Sequence, residues 1–279
     1  MAYPIVPAPY GLKPVNLIGG QVFAGSTRYI PIASGYATSL FYGDLLQLGT
    51  TTNLGSVIQS AITFSTVSST TNQAIGVFLG CTYTNPATGQ KLFAQYWPAG
   101  TVAADAEAIV SDDPDAIYKV VVVANNGTTS STTQLNLGQP WVGSNVFLVR
   151  NAGNTISGNS AFAVCAGSSD VRTATTAPFR IVEIASDSAV AVSQTATTAT
   201  STAMTLTAAN TAITVGMAVI GSGVPTGTYV TVVSGTAVTL SQATTSTLST
   251  ATAFSFVGSP EVLVKINFGY HAYYNAVGI

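Results

Sequence analysis

The chain has 279 residues, enough for one large β domain or two modest ones. Only 6% of them are charged, against about a quarter in ordinary globular domains, yet 47% apolar residues and a mean hydropathy of +0.43 exclude a disordered chain. A net charge of −2 with eight scattered basic residues excludes a phosphate-neutralising surface, so no nucleic-acid partner is expected.

Residues 1–16, MAYPIVPAPYGLKPVN, contain four prolines. Each proline fixes φ and removes a backbone donor, which predicts an extended arm rather than a ladder strand. The apolar side chains of that arm, among them Tyr3, Tyr10 and Leu12, need a surface to lie on. The segment has no uninterrupted apolar run of signal-peptide type, and no stretch of the chain reaches the length of a membrane-spanning helix. Synthesis in a cytoplasm, with no membrane partner, is therefore expected.

From Gln21 the texture changes to short β-rich runs, QVFAG, RYIPIA, LFYGDLLQL, AIGVFLGCTYT and KLFAQYWPAG, split by Gly, Asn, Ser and Pro. The segment TNPATGQ at 84–90 predicts a hairpin turn between two of them. AIYKVVVVA at 116–124 has the β-branched centre of a strand buried on both faces. NVFLVRN, SAFAVCAG, FRIVEIA and KINFGYHAYYN continue the series. Little helix is expected, because neither 103–110 nor 134–136 shows several turns of 3.6-residue periodicity. The spacing predicts an all-β fold, a sandwich or small barrel of antiparallel strands.

Residues 188–260 contain no Asp, Glu, Lys or Arg, whereas both flanks look like core strands with sparse charge. This composition boundary predicts an insertion between two strands that could otherwise pair through a short hairpin. Its alternating apolar and small polar residues, with turns at GSGVPTG and SGT, predict a small β unit. The lead-in SQTATTATSTA reads as a flexible linker.

Chemistry is thinly represented. Cys81 and Cys165 lie too far apart in sequence for a metal spacing and read as two reduced, buried thiols. His271 is the sole histidine, placed by its context in the terminal strand, so a His-pair metal site is excluded and a triad would have to be built on it alone. No G-x-S-x-G elbow accompanies it, and a surface or interface histidine is expected. The acidic residues Asp105, Glu107, Asp112, Asp113 and Asp115 include the run SDDPD, which reads as a solvated turn, with a structural cation as the alternative. GSGVPTG at 221–227 lacks the Lys-Ser/Thr ending of a phosphate loop. No catalytic residue, cofactor or metal is expected.

PYGLKPVNLIGGQVFAGSTRYIPI, GVFLGCTYTNPATGQKLFAQYWPAG, SDDPDAIYKV and the closing VLVKINFGYHAYYN resemble a group of small structural proteins of tailed bacteriophages. The likeness covers roughly residues 9–187 and 259–279. It implies a capsid decoration, or cement, protein: an antiparallel β-sandwich or β-tulip-like domain with an extended N-terminal arm, on the outer surface of the virion. The expected partner is the major capsid protein, and the expected assembly a homotrimer. The charge-free segment departs from that pattern and is similar to a β module recurring in phage surface proteins. The expected organisation is an arm at 1–30, a main β domain at 31–187 plus 259–279, and a small inserted β domain at 188–258. In this reading Tyr3, Tyr10, Lys13 and Arg28 touch the capsid, and Tyr270, His271, Tyr273 and Tyr274 contact a neighbouring subunit. The alternative is a tail or fibre adhesin that binds host surface polysaccharide.

Overall fold

A computed structural model describes residues 8–18, 20–62, 73–124, 131–166, 177–198, 201–246 and 248–275. The first ten strands are β1 (Lys13–Leu17), β2 (Arg28–Pro31), β3 (Leu40–Phe41), β4 (Leu45–Leu48), β5 (Val57–Gln59), β6 (Ala74–Thr84), β7 (Lys91–Ala94), β8 (Tyr96–Trp97), β9 (Glu107–Ser111) and β10 (Ala116–Ala124). The second ten are β11 (Asn145–Val149), β12 (Ala163–Ala166), β13 (Phe179–Ile184), β14 (Val190–Thr198), β15 (Ala203–Leu206), β16 (Ala218–Ile220), β17 (Val230–Ser234), β18 (Ala237–Leu240), β19 (Leu248–Gly258) and β20 (Glu261–Ile266). The helical elements among the described residues are three single 3₁₀ turns, so the chain is all-β as its composition predicts.

An open sheet runs β2-β9-β6-β4-β5, with β7 on the outer part of β6. Its central strand β6 is buried on both faces: Ala74 and Val77 face one apolar cluster, and Ile75, Phe78 and Cys81 face another, the alternation being interrupted by irregularities near Gly76 and between Phe78 and Gly80. Side chains on successive residues point to opposite faces, so this run buries both sides of the sheet at once. The β6–β7 hairpin turns at the predicted place, where the Asn85 side chain accepts from the Ala87 amide at 2.9 Å.

A second sheet closes on itself. β10 pairs with β12, β12 with β11, β11 with β13, β13 with β20, and β20 with β10 again, while β1 lines the outer edge of β10. The β10–β12 pair is parallel and the others are antiparallel. Closure removes free edges from these five strands. As predicted, β10 is buried on both faces, and the largest apolar cluster joins its valines to Leu45, Ala74 and Val77 of the open sheet and to Ile62 beyond β5.

Residues 190–258 form a third sheet, β16-β19-β14-β15-β18-β17. Its two end strands are joined by an Ala218–Tyr229 bridge and by hydrogen bonds from the Val219 amide to the Thr228 carbonyl and from Val230 to Met217, both at 2.9 Å. Phe254, Phe256, Met204 and Met217 fill its own apolar cluster. The strands that flank it in sequence, β13 and β20, pair antiparallel from Phe179–Ile266 to Ile184–Val262.

Four local expectations are corrected. The N-terminal segment is not free of ladder pairing: β1 joins β10, because Gly11 lets Leu12 turn into the core, where it is fully buried. Gly11 has φ +85°, and a Cβ there would meet Ser160 at 2.6 Å. The lead-in to the third sheet is strand β14, not a linker, since its polar residues alternate across a ladder shared with β19. QVFAG is no strand and makes only an isolated Val22–Asn16 bridge. The last predicted strand stops at Ile266, where Asn267 caps a turn by donating to the Ala177 carbonyl at 2.7 Å.

Candidate functional site

The SDDPD run is the turn that carries the chain from β9 in the open sheet to β10 in the closed one. The Asp113 side chain closes it by accepting from the Asp115 amide at 2.8 Å. Placed between two sheets, the turn gathers residues from both chain ends. Arg28, at the start of edge strand β2, pairs through Nε with Asp112 Oδ2 at 2.9 Å and donates from Nη2 to the Tyr273 hydroxyl. That hydroxyl donates to the same Asp112 oxygen at 2.5 Å, and the Arg28 guanidinium lies 5.4 Å from the Tyr273 ring centre. Burial, then the bond to the Asp112 carboxylate, pushes the Tyr273 phenol up to about 12.

On the other side of the turn, Lys265 pairs with Asp115 at 2.5 Å, and the Tyr274 hydroxyl donates to the same oxygen at 3.3 Å. The Lys265 hydrogen bond holds the Asp115 carboxyl below its ordinary range. Tyr274 stacks on Phe268 at 5.4 Å, and Phe268 itself is 80% exposed. The turn carboxylates Asp112 and Asp115 are thus each matched to a cation of this chain. Among the described residues, no group of three or more His, Cys, Asp or Glu side chains could hold a metal ion.

The expected subunit-contact residues divide. Tyr273 and Tyr274 sit at this surface, but Tyr270 and His271 are interior, which corrects the expectation that they touch a neighbour. Tyr270 packs in the largest apolar cluster, and His271 is wholly buried at the start of a 3₁₀ turn, Ala272–Tyr274. His271 Nδ1 accepts from the Tyr273 amide at 3.2 Å, which orients the aromatic end. Burial lowers its pKa to about 4, against the opposing pull of Asp112 and Asp113.

The expected capsid-contact residues also divide. Arg28 belongs to the surface just described, whereas Tyr3 lies outside the described residues. Tyr10 turns inward: its hydroxyl donates to Glu261 Oε1, and Lys13 sits 4.1 Å from its ring centre. Lys119 bridges Glu261 and Asp187 at 2.9 and 2.7 Å, so a carboxylate buried on β20 has a cation as partner. Burial opposes the Lys119 charge, but the bonds to Asp187 and Glu261 raise its pKa overall.

The N-terminal segment carries several exposed apolar side chains, as do other parts of the chain such as Leu54, Phe93 and Ile156. Val15, Ile18, Val22 and Tyr29 are all open to solvent, and the Ile18 amide is tied to the Asp115 carbonyl at 2.9 Å. β1 and β2 are both end strands of their sheets, and the outer edge of β1 is met only at Asn16 and Leu17, by Val22 and Gln21. Lys265 and Phe268 escaped sequence reasoning because their importance comes from the turn they meet, 150 residues away in the chain for Lys265. The thiols of Cys81 and Cys165 are buried, which pushes each up to about 12 and leaves them poor nucleophiles. Compared with known protein families, curated proteins and solved structures, the chain matches none.

Proposed function

We propose that this chain is a non-enzymatic structural protein of a virus particle, decorating the outer surface of a tailed-phage head and clamping neighbouring copies of the major capsid protein. The observation that carries the reading is the surface around the SDDPD turn, to which Ile18 and Arg28 of the N-terminal segment and Tyr273 and Tyr274 of the C-terminal end are all bonded, with Val15, Ile18, Val22, Tyr29 and Phe268 exposed. Exposed apolar groups beside an edge strand offer a contact surface. The polar groups there are already paired within the chain, so a partner can cover them without stranding a charge.

In this reading the open sheet facing the closed one supplies the sandwich-like body. Residues 1–30 are the capsid-facing segment, and 188–258 form an inserted β domain that projects outward. A homotrimer is the proposed assembly, read by sedimentation equilibrium.

The test is co-sedimentation with purified heads of the phage that encodes the chain. Removing residues 1–16 would delete core residue Leu12 and most of β1, so truncation is confined to residues 1–7 and paired with Val22→Asp and Tyr29→Asp. Loss of head binding by the two substitutions, with unchanged thermal melting, is the expected result. Full retention by both overturns the reading.

A further inference from the structure

Away from the turn, a cavity of about 510 Å³ opens between the open and closed sheets, with Thr38 and Ser39 on one side and the loop Arg150–Gly153 on the other. Arg150 is its one charged lining residue. It is half-buried, and no carboxylate of the described residues lies within ion-pair distance, although four other basic side chains of the protein have such a partner. Nη2 donates to Gln59 Oε1 at 2.5 Å, and the guanidinium lies 5.9 Å from the Phe162 ring centre. Gln59 in turn donates to Asp44 Oδ2 at 2.9 Å, which fixes the amide so that its oxygen faces the arginine. Among the described residues, the remaining guanidinium donors have no hydrogen-bond partner that would compete with a ligand.

The buried Asp44 carboxylate offsets part of the Arg150 charge through space but does not reach it directly, so the planar guanidinium fork, whose shape matches a carboxylate, has none bonded to it among the described residues. One positive charge, with no second beside it, suits a monoanion better than a phosphate dianion. The volume is that of a small-ligand site, and the hydroxyls of Thr38 and Ser39 stand where ligand hydroxyls could be paired. We infer that this cavity binds a sugar acid, with the carboxylate on Arg150 and the sugar hydroxyls toward Thr38 and Ser39. The inference goes beyond head decoration and is tested without phage heads.

Calorimetric titration of the full chain with D-glucuronate, D-glucose, acetate and inorganic phosphate reads the site. Glucuronate is expected to bind at least tenfold more tightly than each of the other three. Arg150→Gln should weaken it at least tenfold, and Arg180→Gln, on the closed sheet, should not. Thr38→Trp, at an exposed rim position, should block binding without touching the Arg150–Gln59–Asp44 chain and serves if Arg150→Gln fails to fold. Equal binding of acetate or phosphate, no binding of glucuronate, or full binding by Thr38→Trp overturns the inference.

Discussion

The least conspicuous residues carry the sharpest structural consequences. Gly11 adopts a left-handed φ and presses against Gly43, whose carbonyl accepts from the Leu12 amide at 2.9 Å. Leu12→Ala should therefore cost about 2–5 kcal/mol, as a cavity in a shared core, measured by chemical denaturation. Gly11→Ala should destabilise as well, since its Cβ has no space. His271 gives a pH signature. Its folded pKa of about 4 lies below the unfolded value of 6.5, so the unfolded chain binds the extra proton between those limits. Unfolding free energy should then fall by about 3 kcal/mol as pH drops from 6.5 to 4. Asp44 works in the opposite sense, because burial pushes its carboxyl up and its stabilising contribution fades as pH rises. The difference between wild type and His271→Gln isolates the histidine: the variant should show the shallower slope, and an unchanged slope would reject the assignment.

At the level of elements, strands announced themselves where burial is periodic, as in AIGVFLGCTYT and AIYKVVVVA, and the hairpin at Asn85–Gln90 followed from its turn residues. Pairing was not readable in the same way. Nothing in KPVNL indicates that it will lie on β10, because a proline-rich segment loses only part of its donors and an edge strand needs only half of them. The closure of β10 with both β12 and β20 depends on long-range contacts that local pattern does not encode. The candidate surface was half readable: Arg28 stood in the expected capsid-contact set and Tyr273 in the Tyr-rich end, but their meeting at Asp112 is a product of topology. The same topology yields a prediction. β13 and β20 already pair as far as Ile184–Val262, and the Ala185 amide extends the ladder to the Glu261 carbonyl at 3.1 Å. Joining Asp187 directly to Ser259 should leave a folded chain with the β10 amides still protected from exchange. Trp141, buried and packed edge-on to Tyr229 at 5.9 Å, would lose that cover, so its emission should shift to the red. Loss of β10 protection would show that the third sheet is needed for the rest to fold.

For the molecule as a whole, the scarcity of charge is compounded by its use. The cations at Arg28, Lys91, Lys119 and Lys265 are tied to carboxylates of the same chain. Little charge is left to keep copies apart or to steer a charged partner, and the pI near 5.1 places the neutral point within easy reach. What the surface does offer is apolar: Val22 at 78% exposure and Phe268 at 80%. Apolar contact and ion pairing respond oppositely to salt, since added sodium chloride screens exposed charges while sulfate strengthens burial. If docking uses the N-terminal segment and Phe268, head attachment should persist through a sodium chloride series and tighten in ammonium sulfate. Val22→Lys with Phe268→Lys should abolish attachment while raising solubility near the pI. Release by moderate sodium chloride would instead assign the contact to Arg28 and Lys265, whose partners Asp112 and Asp115 would then have to exchange for carboxylates on the head.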